Sequence, residues 1–181
     1  MDDDAIHRNR VTLNTSGYEA MTRPIPKMLE EFRRYWKHYV FQCLLATFVV
    51  FIVLLALSLK NTVIIASIGA TAFIVFAMPE MVTAKPRNVI GGHTTGLIIG
   101  SLCFLIPHST VFYAALSYSL AVGLAIFIMV VIDTEHPPAA ATALGFAISG
   151  FSLKTAIALV LSIIVLSLVH YFFRPHLKDL T

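Results

Sequence analysis

Charge is what this sequence has least of. Asp, Glu, Lys and Arg make up 13% of 181 residues, against roughly 25% in a soluble chain. That leaves too little polar surface to coat a water-soluble globule. Cysteine is reduced to Cys43 and Cys103, each inside an apolar run, which excludes a disulfide scaffold. Both read as small buried hydrophobes rather than redox groups. No positively charged start leads into an apolar core in the first 38 residues, so a cleaved signal peptide is not expected. What is abundant is apolar: 57% hydrophobic residues and a mean hydropathy of +0.81. Disorder and collagen-like structure are excluded with it, and an all-α polytopic membrane protein remains.

A helix needs about 20 apolar residues to cross the hydrocarbon. Val40–Leu59 and Val111–Ile132 are charge-free runs of that kind, and Thr155–Phe173 is a third, with His170 near its end. Val89–Ile106 is shorter and glycine-rich, with His93 near its start. These are four expected long spans. Thr62–Met78 and Ala139–Phe151 are shorter and read as brief spanning or re-entrant helices.

Residues 1–37 differ in kind. Residues 1 to about 24 read as a polar tail. From Pro26, apolar and aromatic positions Met28, Leu29, Phe32, Tyr35, Trp36 and Tyr39 recur at helical spacing, opposite a basic face. This predicts an amphipathic interfacial helix that runs into the first span, with its aromatics in the interfacial belt. Acids nearly cancel bases in this arm, so no nucleic-acid partner is expected. The transmembrane domain is expected over 38–174, followed by a cytoplasmic tail over 175–181. Six crossings put eleven Lys/Arg on one side and leave Lys60 and Lys154 on the other. The positive-inside rule then favours cytoplasmic termini, and a bacterial inner (plasma) membrane is the expected location.

Shifting the sequence by 71 residues lays Val40–Leu59 on Val111–Val130, Ala70-Thr71-Ala72 on Ala141-Thr142-Ala143, and Pro79 on Gly150, without a gap. The pattern predicts two repeats, about 38–108 and 109–174, each long helix, short helix, long helix. With three crossings per half the copies are inverted, a plan in which matching short helices mark a transporter's binding site.

Asp133-Thr134-Glu135-His136-Pro137-Pro138 follows a span directly. The prolines cannot continue that helix but suit the first turn of a new one. Ala66-Ser67-Ile68-Gly69-Ala70-Thr71 stands at the equivalent place in the first half. The expectation is two helix N-termini facing one centre, each attractive to an anion.

At these residues the chain resembles the HPP family of integral membrane proteins, named for the tripeptide at His136–Pro138. Ser67–Ala72, Pro79-Glu80, Pro86–His93, His136–Ala139 and Ala141–Ala143 match its signature blocks in order, over roughly Val40–Phe173. The resemblance implies a transporter, usually described with four transmembrane helices, and photosynthetic relatives linked to nitrite movement.

The candidate substrate-binding residues are Ser67, Gly69, Thr71, Arg87, Asn88, His93, His136, Pro137, Pro138 and Thr142. Arg87 suits anion recruitment, since a guanidinium pairs bidentately with a planar oxyanion; the alternative is an ordinary positive-inside charge. Glu80, Asp133 and Glu135 are candidates for proton coupling or gating, and Glu80 is placed to neutralise Arg87 or Lys85 in an empty site. His93 reads equally as a structural hydrogen-bonder or a proton carrier. For His136 the choice lies between proton coupling and fixing the turn. Thr71 and Thr142 either donate to substrate or bond back into their own helices. The Gly92, Gly96, Gly100 ridge predicts close helix packing, within the chain or in a homodimer.

A transporter or channel for a small inorganic anion in the lipid bilayer is the preferred reading, without cofactor or metal. A membrane enzyme built on His93, His136, Asp133 and Glu135 lacks a recognised ligand spacing. A non-transporting sensor or scaffold is the third class.

Overall fold

The computed structural model describes residues 25–57 and 62–180. It is helical, with no strand among these residues. The order is α1 (Ile25–Leu57), α2 (Thr62–Ala77), a 3-10 turn (Val82–Ala84), α3 (Pro86–Cys103), α4 (Val111–Val131), α5 (Pro137–Ser149), α6 (Leu153–Phe173) and a second 3-10 turn (Arg174–His176). Among the described residues, three helical stretches are long and apolar enough to cross a bilayer: Phe32–Leu55, Val111–Val131 and Leu153–His176. The fourth expected span, α3, is not among them. Its 18 residues include four glycines and several polar side chains. The polar tail expected over residues 1–24, and Lys60, lie outside the described residues.

The described residues up to Tyr39 and those from Val40 onward form two compact units. In the first, the Phe32 and Tyr39 rings meet edge to face at 5.5 Å, and Arg34 lies over the Tyr35 ring. The expected amphipathic segment is part of the continuous helix α1. In the second unit, α2, α3 and α6 share a large apolar core of Ile64, Ile68, Val75, Phe76, Val89, Leu159, Ile163 and Leu166. A second core of small residues, Ala121, Ala125, Ala139, Ala143 and Ala147, joins α4 to α5.

Helix starts and stops follow local chemistry. Pro86 opens α3, and Pro137-Pro138 open α5 behind His136, where a missing N–H leaves no bond unmade. Gly150 ends α5 with φ 75°, a conformation that favours glycine, and a Cβ there would strike the Phe104 ring. Thr110 caps α4 by accepting from the Tyr113 N–H.

Two expectations about position are corrected. Ala66–Thr71 is not a helix N-terminus: α2 begins at Thr62, and nothing from there to Ala77 interrupts it, Gly69 alone being tolerable mid-helix. The residues beyond Phe173 are not a simple tail either. Leu177 is buried, Gln42 of α1 bonds to the backbone N–H and carbonyl of Lys178, and the Leu180 N–H bonds the Ala77 carbonyl at the end of α2. Cys103 is buried as expected, but Cys43 is exposed.

α3 is the packing centre. A Cβ on Gly96 would run into the Ala139 carbonyl, and one on Gly100 into the Ala143 carbonyl. On Gly92 it would reach the His136 Cβ at 2.7 Å. The glycine ridge therefore serves contact within the chain, against α5, which settles the choice left open by the sequence for these three residues.

Candidate functional site

That close contact of α3 with α5, and of both with α2, brings polar side chains together in apolar surroundings. Ser67 and Thr71 sit one turn apart on α2, His93 on the second turn of α3, Thr142 on the second turn of α5, and His136 at the cap of α5. All five are buried. They form one hydrogen-bonded chain. Ser67 Oγ–H donates to the Pro138 carbonyl at 2.8 Å, and Ser67 Oγ lies 2.7 Å from Thr142 Oγ1. Thr142 Oγ1 is 2.8 Å from His93 Nδ1, and His93 Nε2 is 2.8 Å from Thr71 Oγ1. Thr71 Oγ1 is also 3.0 Å from His136 Nε2, while His136 Nδ1–H donates to the Thr83 carbonyl at 2.8 Å. The imidazole rings are 5.0 Å apart, centre to centre.

A second group stands at the surface where α3 begins. Arg87 Nη1 pairs with Asp133 at 2.9 Å, and Nη2–H donates to the Ile132 carbonyl. Asn88 donates to the Glu135 carbonyl at 3.1 Å. The first turn of α3 thus clasps the turn between α4 and α5. Asp133 holds φ 56°, a strained value for a residue with a side chain and one that Asp tolerates better than most. Beside the clasp, a half-open cavity of about 270 Å³ lies between α4 and α5, lined by Ile126, Met129, Val130, Glu135, His136, Pro137 and Ala140.

The structure therefore sorts the candidates into two places. Ser67, Thr71, His93, His136, Pro138 and Thr142 belong to the buried chain; Arg87, Asn88, Asp133, Glu135 and Pro137 belong to the clasp and cavity. Two candidates belong to neither. Gly69 is on an exposed side of α2, with nothing within 4 Å of a Cβ built there. Glu80 is exposed, and its N–H contacts Asp179; the carboxylate paired with Arg87 is Asp133, which is nearer along the clasp. The picture of two N-termini facing a centre is replaced by one, that of α5, beside mid-helix hydroxyls from α2. Among the described residues, no three His, Cys, Asp or Glu side chains converge as a metal-binding group.

Three contributors escaped the sequence reading. Thr83 acts through its carbonyl, which no side-chain pattern reveals. Gln42, a lone amide in an otherwise apolar run, was legible as an anomaly, and it bonds the Phe76 and Lys178 carbonyls. His170 stands near the end of an apolar span with no partner legible in the sequence; its Nε2–H donates to the Pro79 carbonyl.

A family model described as HPP, transmembrane region, matches residues 32–175. A transmembrane protein of Dictyostelium discoideum is 37% identical over 89 residues, covering 49% of this chain and 31% of the relative. A second from the same organism is 32% identical over 127 residues, covering 67% of this chain and 38% of the relative. The chain spans about a third of the length of these curated relatives. No solved structure matches it.

Proposed function

We propose, from the premise that this chain belongs to the HPP transmembrane family, that it moves a small inorganic anion across the bilayer, with nitrite the first substrate to try. One observation carries the reading. Five polar side chains from three helices are joined at the centre of an apolar bundle. Polar and ionisable groups inside a membrane protein are costly and mark pathways more often than they mark scaffolding. A scaffold needs helix contacts, and α3 obtains those from glycine and alanine without two buried histidines.

The substrate first meets the cavity between α4 and α5. There the N-terminus of α5 contributes the partial positive charge of its helix dipole, and Arg87 stands at the rim. In the described conformation the hydroxyls of Ser67, Thr71 and Thr142 bond to each other and to histidine, so passage requires α5 to part from α2 and α3. The Arg87–Asp133 pair and the Asn88–Glu135 bond tie the mouth of that seam, and Asp133 and Glu135 are its gating carboxylates. α2 and α5, at 16 and 13 residues, are about 24 and 20 Å long. Both fall short of a hydrocarbon core about 30 Å thick. This suits the two matched short helices of a long–short–long repeat, with α3 as a fourth span buried by its neighbours. The reading puts both termini in the cytoplasm, which the charge bias supports, in a plasma (bacterial inner) membrane. Outward apolar faces of α4 are available to lipid or to a second copy of the chain. No catalytic role is assigned.

Flux into proteoliposomes tests the reading, with nitrite, nitrate, formate, bicarbonate and chloride compared with and without a pH gradient. Uptake of at least one of these above protein-free vesicles, reduced tenfold or more by His136→Ala, is the expected result. Rates equal to protein-free vesicles for all five would refute it.

A further inference from the structure

The buried chain has fewer protons than places for them. Its ends are the carbonyls of Pro138 and Thr83, which only accept. Between them stand Ser67, Thr142, His93, Thr71 and His136, and six contacts of 2.7–3.0 Å link the whole series. Three hydroxyls and two neutral imidazoles bring one proton each, which makes five for six contacts.

Working inward from both ends shows where the shortage falls. Ser67 gives its proton to Pro138 and so accepts from Thr142. Thr142, its proton committed, accepts from His93 Nδ1–H. At the other end His136 Nδ1–H is committed to Thr83. Both neutral rings then present Nε2 lone pairs to one Thr71 hydroxyl, at 2.8 and 3.0 Å. That hydroxyl has a single proton, and the Ser67 carbonyl at 3.0 Å competes for it.

We propose that His93, Thr71 and His136 form a relay that binds one proton and passes it between the two rings. With the proton on His136, Nε2–H donates to Thr71 Oγ1, Thr71 O–H donates to His93 Nε2, and all six contacts are filled. In transfer, the N–H bond at His136 Nε2 breaks as an O–H bond forms on Thr71. The original Thr71 O–H bond breaks as an N–H bond forms at His93 Nε2. The hydroxyl is regenerated, and the positive charge has moved from one imidazole to the other.

His136 lines the cavity between α4 and α5, so a proton from water reaches it first, and His93 is the inner terminus. The surroundings limit the load to one. Two imidazolium rings 5.0 Å apart would repel strongly in apolar packing. Helices α2, α4 and α5 carry no Asp, Glu, Lys, Arg or His. α3 adds only Arg87, tied to Asp133 at the surface. α6 adds Lys154, exposed, and His170, bonded to Pro79. Glu135, beside His136 in the cavity lining, and Asp133, paired with Arg87 at the rim, are the carboxylates on the proton's way in. Among the described residues no buried counter-ion holds the charge in place, which suits a group that passes it on.

The proposal goes beyond anion transport and is tested without flux. The full chain, labelled with [15N]histidine, is placed in lipid nanodiscs and titrated, with ring signals assigned through His93→Gln and His136→Gln. At neutral pH both rings should carry hydrogen on Nδ1 and none on Nε2. On acidification both sets of signals should move together in one step that adds one proton per protein to the pair. Thr71→Ser should preserve the shared step, and Thr71→Val should split it. The relay is refuted by an Nε2–H tautomer on either neutral ring, by one proton taken up independently on each ring, or by rings that stay neutral until the protein unfolds. A shared step that survives in Thr71→Val refutes it as well. Should Thr71→Val not fold, the wild-type spectra decide alone.

Discussion

The contact between α3 and α5 and the outward side of α4 follow opposite rules. At the contact the residues are small or polar: Gly92, Gly96 and Gly100 against Ala139, Thr142 and Ala143, with His93 and His136 at one end. On α4 the inward positions are Ser117, Ala121, Ala125 and Met129, one turn apart, while Leu116, Leu120, Leu124, Phe127 and Val130 face outward. A soluble helix would reverse that order. In lipid, large side chains gain little from leaving the surroundings, so association rests on close backbone approach and polar bonding. Hydropathy therefore finds the helices, and residue size finds their contacts.

The largest effect should come from filling the contact. Gly100→Leu and Gly96→Leu place a side chain against the backbone of α5, where a rotamer change cannot relieve the clash. Overpacking of this kind costs about 1–3 kcal/mol or more, and both variants should lose the monodisperse peak in detergent size-exclusion chromatography. A normal elution profile with unchanged Tm for both would show that α3 and α5 are not in contact.

Next comes the polar chain. Thr142→Val keeps the shape and removes the hydroxyl that joins Ser67 to His93. Stranding buried partners costs about 1–3 kcal/mol, so Tm should fall by several degrees and anion flux with it, while Thr142→Ser stays near wild type. Combining Thr142→Val with Ser67→Ala should cost less than the two separately, because the second change removes a group the first had already stranded. Strict additivity would mean that the two hydroxyls are not bonded.

A third change sharpens the comparison by reversing its sign. Gly69 is a helical glycine with open space at its Cβ, as is Gly123 on α4. Gly69→Ala and Gly123→Ala should each stabilise by about 0.4–1 kcal/mol, through a less flexible unfolded chain and better helix propensity. Destabilisation would place these glycines in an interface, with a second copy the first to test by crosslinking.

How much of this was visible in the sequence depended on the reach of the interaction. Pro137-Pro138 act within one or two residues, and the helix start they predict is where α5 begins. The small-residue ridge was legible as a packing face but did not name α5 as its partner. The position of Ala66–Thr71 was misread because the 71-residue shift transferred the start of α5 onto α2, which has no proline at that place and simply continues. His93 and His136 were recognised individually. Their convergence on Thr71 depends on three helices and a backbone carbonyl 53 residues away, which periodicity does not encode.

The smallest effect on stability, and the sharpest separation of stability from function, should come at the rim. Arg87 and Asp133 are 65% and 71% exposed, where an ion pair contributes about 0–1 kcal/mol after solvent screening. Arg87→Ala should therefore leave Tm within a degree or two of wild type. Asp133→Asn removes the charge but keeps a residue that tolerates φ 56°, so it too should fold normally. Their effects on flux should differ in direction: Arg87→Ala loses the recruiting cation and slows uptake, while Asp133→Asn frees Arg87 from its partner and lowers the half-saturating anion concentration. That divergence should shrink at high salt, since exposed charges are screened beyond about 10 Å at 0.1 M. Equal losses of flux in both variants, insensitive to salt, would make the clasp a mechanical fastening of α3 to the turn before α5 rather than an electrostatic mouth.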